Sequence, residues 1–153
     1  MINVKVEFRG SRELQKGLRS AQGGELRKLI QQTLFEFADG FLLPRIRLNT
    51  PILTGRLRES LEVIRPPVSR VAAVEIQSDV PYALRQHEEI HRLGPVSREQ
   101  PSQPEGGVGS KFIVRVVDFY ADQLKVEFGS FSNVMVRKLF PSGTKRTLRR
   151  RLA

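Results

Sequence analysis

The stretch Thr50-Pro51-Ile52-Leu53-Thr54-Gly55-Arg56-Leu57-Arg58-Glu59-Ser60-Leu61 divides the chain into two kinds of pattern. Before it, apolar residues recur at spacings of three and four; after it, they alternate. The first period belongs to an amphipathic helix and the second to a half-buried strand. Pro51 cannot continue a helix, because it lacks an N–H and its ring crowds the preceding turn. Gly55 accepts a positive φ at little cost, as a sharp change of direction often requires. The stretch therefore predicts a joint at which a helix hands over to a sheet.

Upstream, residues 25–43 predict a long helix. Leu26, Leu29, Ile30, Thr33, Leu34, Phe37 and Phe41 form one apolar stripe, with Arg27, Lys28, Gln31, Gln32, Glu36 and Asp39 away from it. Pro44 is expected to end the helix. Phe35 falls off the stripe, and with Leu42 and Leu43 it marks a second contact surface, expected to face another subunit. Further upstream, Ile2, Val4, Val6 and Phe8 alternate with polar residues and predict a strand over 2–9. Ser11 is placed to cap a short helix reaching about Ser20, which Gly23-Gly24 would break.

Downstream, alternation over 57–65 and again over 70–77, separated by Pro66-Pro67, predicts paired strands. Pro81 suits the first turn of a short helix over 81–92, stopped by Gly94-Pro95. Residues 94–110 are rich in Gly, Pro and Ser and predict a flexible loop that orders only against a neighbour. Helical spacing returns over 111–124 with Phe112, Val116, Phe119, Tyr120 and Leu124. Residues 125–129 read as a short strand, and Val134, Val136 and Leu139 as an irregular further one. The fold class is thus α+β: one antiparallel sheet packed against a long amphipathic helix, with a second shorter helix and a long loop. It is read as a single domain over 1–136, followed by a basic extension over 137–153.

Composition narrows the function. With 39% apolar residues in 153, the core is lean, and part of the apolar surface is expected to be buried against other subunits. No cysteine is present, which removes disulfides and thiolate chemistry. No apolar run is long enough to span a bilayer, and the alternating N-terminus does not read as a signal peptide. The net charge of +10 is uneven. Arg137, Lys138, Lys145, Arg146, Arg149, Arg150 and Arg151 give the extension +7 with no acid, while residues 1–136 carry 19 basic against 16 acidic residues. Those seven are the candidate contacts to nucleic acid or to an acidic partner.

One motif suggests catalysis. His87-Glu88-Glu89-Ile90-His91 matches the His-Glu-x-x-His pattern, in which two imidazoles one helical turn apart clamp Zn²⁺ and the Glu acts as general base. His87 and His91 are therefore the weak metal candidates. Their flanks argue against the reading: Arg85, Gln86 and Glu89 are polar where such a helix is normally buried, and no third ligand helix follows. No phosphate-binding glycine loop, serine elbow or DNA-reading module is present. No catalytic residue and no cofactor are expected.

The order of the short motifs carries a resemblance. Thr50-Pro51-x-x-Thr54-Gly55-Arg56-Leu57-Arg58-x-Ser60-Leu61 follows a long helix and precedes a hairpin. Then come Tyr82-Ala83-x-x-x-x-His87-Glu88, a polar loop, and Lys111-Phe112-Ile113 opening an apolar helix. Over roughly residues 2–125 the chain resembles the neck and tail-completion (head–tail joining) proteins of long-tailed bacteriophages. Ile52-Leu53 stands where that family often has Val-Asp. The resemblance implies a structural protein without an active site, built around the joint residues Pro51, Thr54, Gly55, Arg56 and Leu57. It implies a homo-oligomeric ring, a hexamer, in contact with connector and tail-tube proteins and near packaged DNA, with no membrane partner. The alternatives from other classes are a zinc-dependent hydrolase using the His-Glu-x-x-His motif and a basic DNA-binding accessory protein.

Overall fold

The computed structural model describes residues 1–8, 23–67, 72–89 and 92–139. The short helix expected over 11–20 lies outside them. The elements are β1 Ile2–Phe8, α1 Gly23–Phe37, a π-helical segment Ala38–Leu42, α2 Leu43–Asn49, α3 Arg56–Ser60, β2 Glu62–Ile64, β3 Ala72–Ser78, α4 Ala83–Glu88, α5 Pro95–Arg98 and α6 Phe112–Leu139. The fold is α+β, with a three-stranded antiparallel sheet in the order β1-β3-β2.

The register follows from the alternation. Val4 stands opposite Ile76, Val6 opposite Val74, and Val63 opposite Ile76, so one face collects the apolar side chains. The other face is tied by polar pairs: Asn3 Nδ2 donates to Glu75 at 2.8 Å, and Gln77 Nε2 to Glu62 at 2.8 Å.

The helix before the joint runs further than Pro44 suggests. Helical structure is continuous over 23–49, because a π turn absorbs the proline. The Leu43 N–H bonds to Ala38 O, five residues back, and Pro44 then sits in the first turn of α2. There its missing donor and bulky ring are tolerated. The π turn also keeps the apolar face aligned. Leu26, Ile30, Leu34, Ala38, Leu42 and Ile46 are all at most 1% exposed and recur every fourth residue. In an ideal α-helix such a row drifts by about 40° per step. The wider π turn takes back part of that drift.

Several expected positions are corrected by this row. Leu42 and Leu43, expected at a subunit contact, are 0% and 4% exposed in the core of the same chain. Phe35 is half-buried, with the Arg65 guanidinium 4.7 Å above its ring. Leu29 is on the exposed side, whereas Gln31 is buried and donates through Nε2 to Pro66 O and Ala73 O, fastening α1 to the strands.

Three strand assignments are also corrected. Residues 57–60 belong to α3, because Gly55 at φ 82° turns the chain into a helical turn and Glu59 N–H bonds to Gly55 O at 3.1 Å. Leu57 and Leu61, read as alternate strand positions, are four apart and both buried, at 4% and 0%. Residues 125–129 and 134–139 lie within α6, which is helical for 28 residues. A helix already nucleated gains one hydrogen bond per added residue, and Val126 or Gly129 each oppose this by only about 1 kcal/mol.

The core joins the inner sheet face, the row from Leu34 to Ile46 and the first half of α6, where Phe112, Ile113 and Val116 are fully buried and Tyr120 and Leu124 nearly so. No helix among the described residues is long and apolar enough to cross a membrane.

Candidate functional site

The joint is a corner fastened by two arginines that cap each other's helices. Arg58, on α3, donates from Nε to Thr50 O at 3.0 Å and from Nη2 to Leu48 O at 3.2 Å, at the C-terminal end of α2. Arg47, on α2, donates from Nε to Arg58 O at 3.1 Å and from Nη2 to Leu61 O at 2.9 Å, at the end of α3. Free carbonyls at a helix C-terminus carry partial negative charge, and a planar guanidinium can bridge two of them. Thr50 adds its own hydroxyl to Ile46 O at 2.7 Å. Burial lowers the Arg58 pKa from its ordinary value, yet arginine remains charged.

Above this corner lies a cleft of about 380 Å³. Its floor holds Leu57 and Ser97, 4% and 3% exposed, and its side is made by Tyr82 and Gln86 around α4. Pro51, Thr54 and Gly55 of the joint line it, while Leu53, 92% exposed, and Arg92 stand at its mouth. Arg56 follows Gly55 and is exposed. The Ser97 hydroxyl accepts from Ile52 N–H at 2.8 Å and donates to Ile52 O at 3.0 Å, so α5 is sewn to the joint.

The polar stretch 94–110 is thereby seated on the body by its own residues, in contrast to the expected loop that orders only against a neighbour. Ser97 is one anchor and Glu105 is another. The Glu105 side chain is fully buried, its Oε1 accepting from Tyr120 OH at 2.6 Å and from Arg45 Nη1 at 3.1 Å. Burial alone pushes the Glu105 carboxyl up, but the Tyr120 hydroxyl, its own backbone N–H, Arg45 and Asn49 outweigh that and hold its pKa below the usual value. Burial and the Glu105 carboxylate push the Tyr120 phenol up. Arg45 also lies over the Phe41 and Tyr120 rings, at 4.8 and 5.1 Å. Arg115 Nη2 donates to Gly107 O at 2.8 Å, and the neighbouring Gly106 sits at φ 108°, a backbone conformation that favours glycine.

The histidine motif is not assembled on one helix. α4 ends at Glu88, and Glu89 is extended at φ −85°, ψ 140°. The i, i+4 geometry that would align residues 87 and 91 is interrupted there, and His91 lies outside the described residues. His87 is 1% exposed, its Nδ1 2.7 Å from Glu88 Oε1 and its ring edge-on to Phe112 at 5.0 Å. Its Nε2 is buried and meets no hydrogen-bond partner among the described residues. Its backbone oxygen accepts from Lys111 N–H, where α6 begins. Among the described residues, no three His, Asp or Glu side chains are grouped to hold a metal.

Of the basic candidates, Arg137 and Lys138 fall in the last turn of α6, and Lys145, Arg146, Arg149, Arg150 and Arg151 lie outside the described residues. Periodicity did not single out Arg45, Arg47, Ser97, Glu105 or Arg115, because their partners are backbone carbonyls or residues distant in sequence. The Gly/Pro richness around Glu105 was the available signal, and it pointed to mobility. The chain matches no known family model, and no curated protein or solved structure is significantly similar to it.

Proposed function

We propose that the chain is a non-enzymatic structural protein of the bacteriophage head–tail junction, a neck, tail-completion or tail-terminator subunit. In this reading it forms a ring, a hexamer, that joins the tail tube to the connector around the DNA channel, in the virion neck after assembly in the host cytoplasm. One observation carries the reading. The motif residues behind the resemblance are distant in sequence and meet in space: Pro51, Thr54, Gly55 and Leu57 share one cleft with Tyr82, and Lys111 bonds to His87 beside it. The shared motifs thus have a common structural purpose, a capped corner with an exposed apolar cleft. His87 belongs to the packing of that region, against Phe112. The basic extension would then face DNA phosphates or the adjacent ring.

The test uses particles of the phage that carries the gene. Mass spectrometry and cryo-electron microscopy should find the chain in purified virions as a ring at the neck. Disrupting the gene should leave filled heads and unjoined tails. Absence of the chain from virions, or normally joined particles without it, would overturn the proposal.

A further inference from the structure

Two exposed patches of this chain are complementary to each other. The first is the mouth of the joint cleft. Leu53 stands out at 92% exposure beside Tyr82 at 40%. Arg92 lines the cleft and is exposed, and Arg56, which follows the lining residue Gly55, is exposed as well; neither guanidinium has a hydrogen-bond or ion-pair partner among the described residues. An apolar recess with one unpaired guanidinium in its lining and a second beside the lining in sequence suits an apolar side chain flanked by carboxylates.

The second patch supplies that chemistry. On α6, Phe119 is 54% exposed and Val126 is 70% exposed. With Asp122 between them they recur at helical spacings of three and four, on one face. Asp118 is exposed and unpaired among the described residues. Asp122 is 95% exposed and, among the described residues, is ion-paired only with the exposed Lys125, at 3.1 Å. Phe119 is held at its base by an edge contact with Tyr120 at 4.9 Å, and Tyr120 is locked to Glu105. It is thus a large apolar side chain on a rigid helix with acids on either side, the pattern of an interface anchor.

We propose that the joint cleft of one copy receives the Phe119 face of a second copy, with Arg56 and Arg92 meeting Asp118 and Asp122. The patches share no residue, so the contact is head-to-tail. Each bound copy keeps one free cleft and one free Phe119 face, and such contacts close into a ring or continue as a filament. This deepens the proposed function by naming the ring contact, and only the closure into a ring rests on that reading.

The experiment is sedimentation velocity and mass photometry of the purified full chain over a concentration series. The wild type should form concentration-dependent oligomers. Leu53→Asp and Phe119→Asp, both at exposed positions, should each weaken self-association by about thirtyfold or more. Mixed in equal amounts, they should form a dimer of one copy each and nothing larger, because each variant retains the face the other has lost. As a second pair, Arg56→Glu with Arg92→Glu should abolish assembly. Mixing that chain with one carrying Asp118→Arg and Asp122→Arg should restore assembly with the two chains alternating, because the reversed pairing forms at one junction and the original pairing at the next. A wild type that stays monomeric throughout, variants that assemble like the wild type, or mixtures that do not associate would each overturn the contact. The virion test above would stand apart from any of these results.

Discussion

At Glu105 a single buried carboxylate supplies one anchor of a long irregular segment. Its folded pKa is lowered, so the unfolded chain takes up a proton first as the pH falls. The stability it contributes is present above the unfolded carboxylate pKa and is lost as the pH drops through the lower folded value. Glu105→Gln should therefore cost about 1–3 kcal/mol at neutral pH, by weakening the charge-assisted bonds to Tyr120 and Arg45. The gap between wild type and variant should close in acid. Urea denaturation at a series of pH values checks this: a deficit that stays constant through the acid range would show that the lock works without the charge. Leu53 is the contrasting residue, since at 92% exposure it contributes little to its own fold and is free to serve contact.

Among the elements, α3 is too short to be stable alone, at five residues, whereas α2 closes the continuous helix over 23–49. The last carbonyls of each are satisfied by the other's arginine. Replacing either by lysine loses the two-pronged geometry, since an ammonium is a point charge. Arg47→Lys and Arg58→Lys should each cost about 1–2 kcal/mol, and the double variant should cost less than the two added together. Chemical denaturation of the three proteins tests this, and strict additivity would mean the two caps act independently. This corner also marks how far the sequence could be read. Pro51 and Gly55 announced a change of direction, because those residues act through their own backbones. The alternation in 2–8 and 72–78 announced the strands, because one buried face imposes a period of two. The π turn was not legible: Pro44 looked terminal, and only the tertiary requirement to keep Leu42 and Ile46 inward explains why the helix continues. Nor was the full length of α6, where Val126 and Phe128 have strand preferences that a nucleated helix overrides. The cleft was half legible. Its joint side lay in one motif, while Gly94 and Ser97 arrive from a stretch whose composition pointed to mobility.

For the whole molecule, the described core draws on residues from Ile2 to Leu124. Truncation after Leu139 removes Lys145, Arg146, Arg149, Arg150 and Arg151 and lowers the net charge from +10 to +5. If those side chains meet phosphates, the slope of log affinity against log salt for duplex DNA should fall by about four to five units. Fluorescence anisotropy across a salt series reads this directly. An unchanged slope would assign the extension to a protein neighbour.

The mutual arginine clasp at the corner has a consequence for how the molecule comes apart. It contains no group that titrates between acidic and mildly alkaline conditions, since guanidinium stays charged and peptide oxygens do not ionise. The carboxylate fastener across the molecule is acid-labile. A falling pH therefore weakens the Glu105 anchor of the 94–110 stretch first, while the bend between helix and sheet and the Ser97 anchor beside it keep their hydrogen bonds.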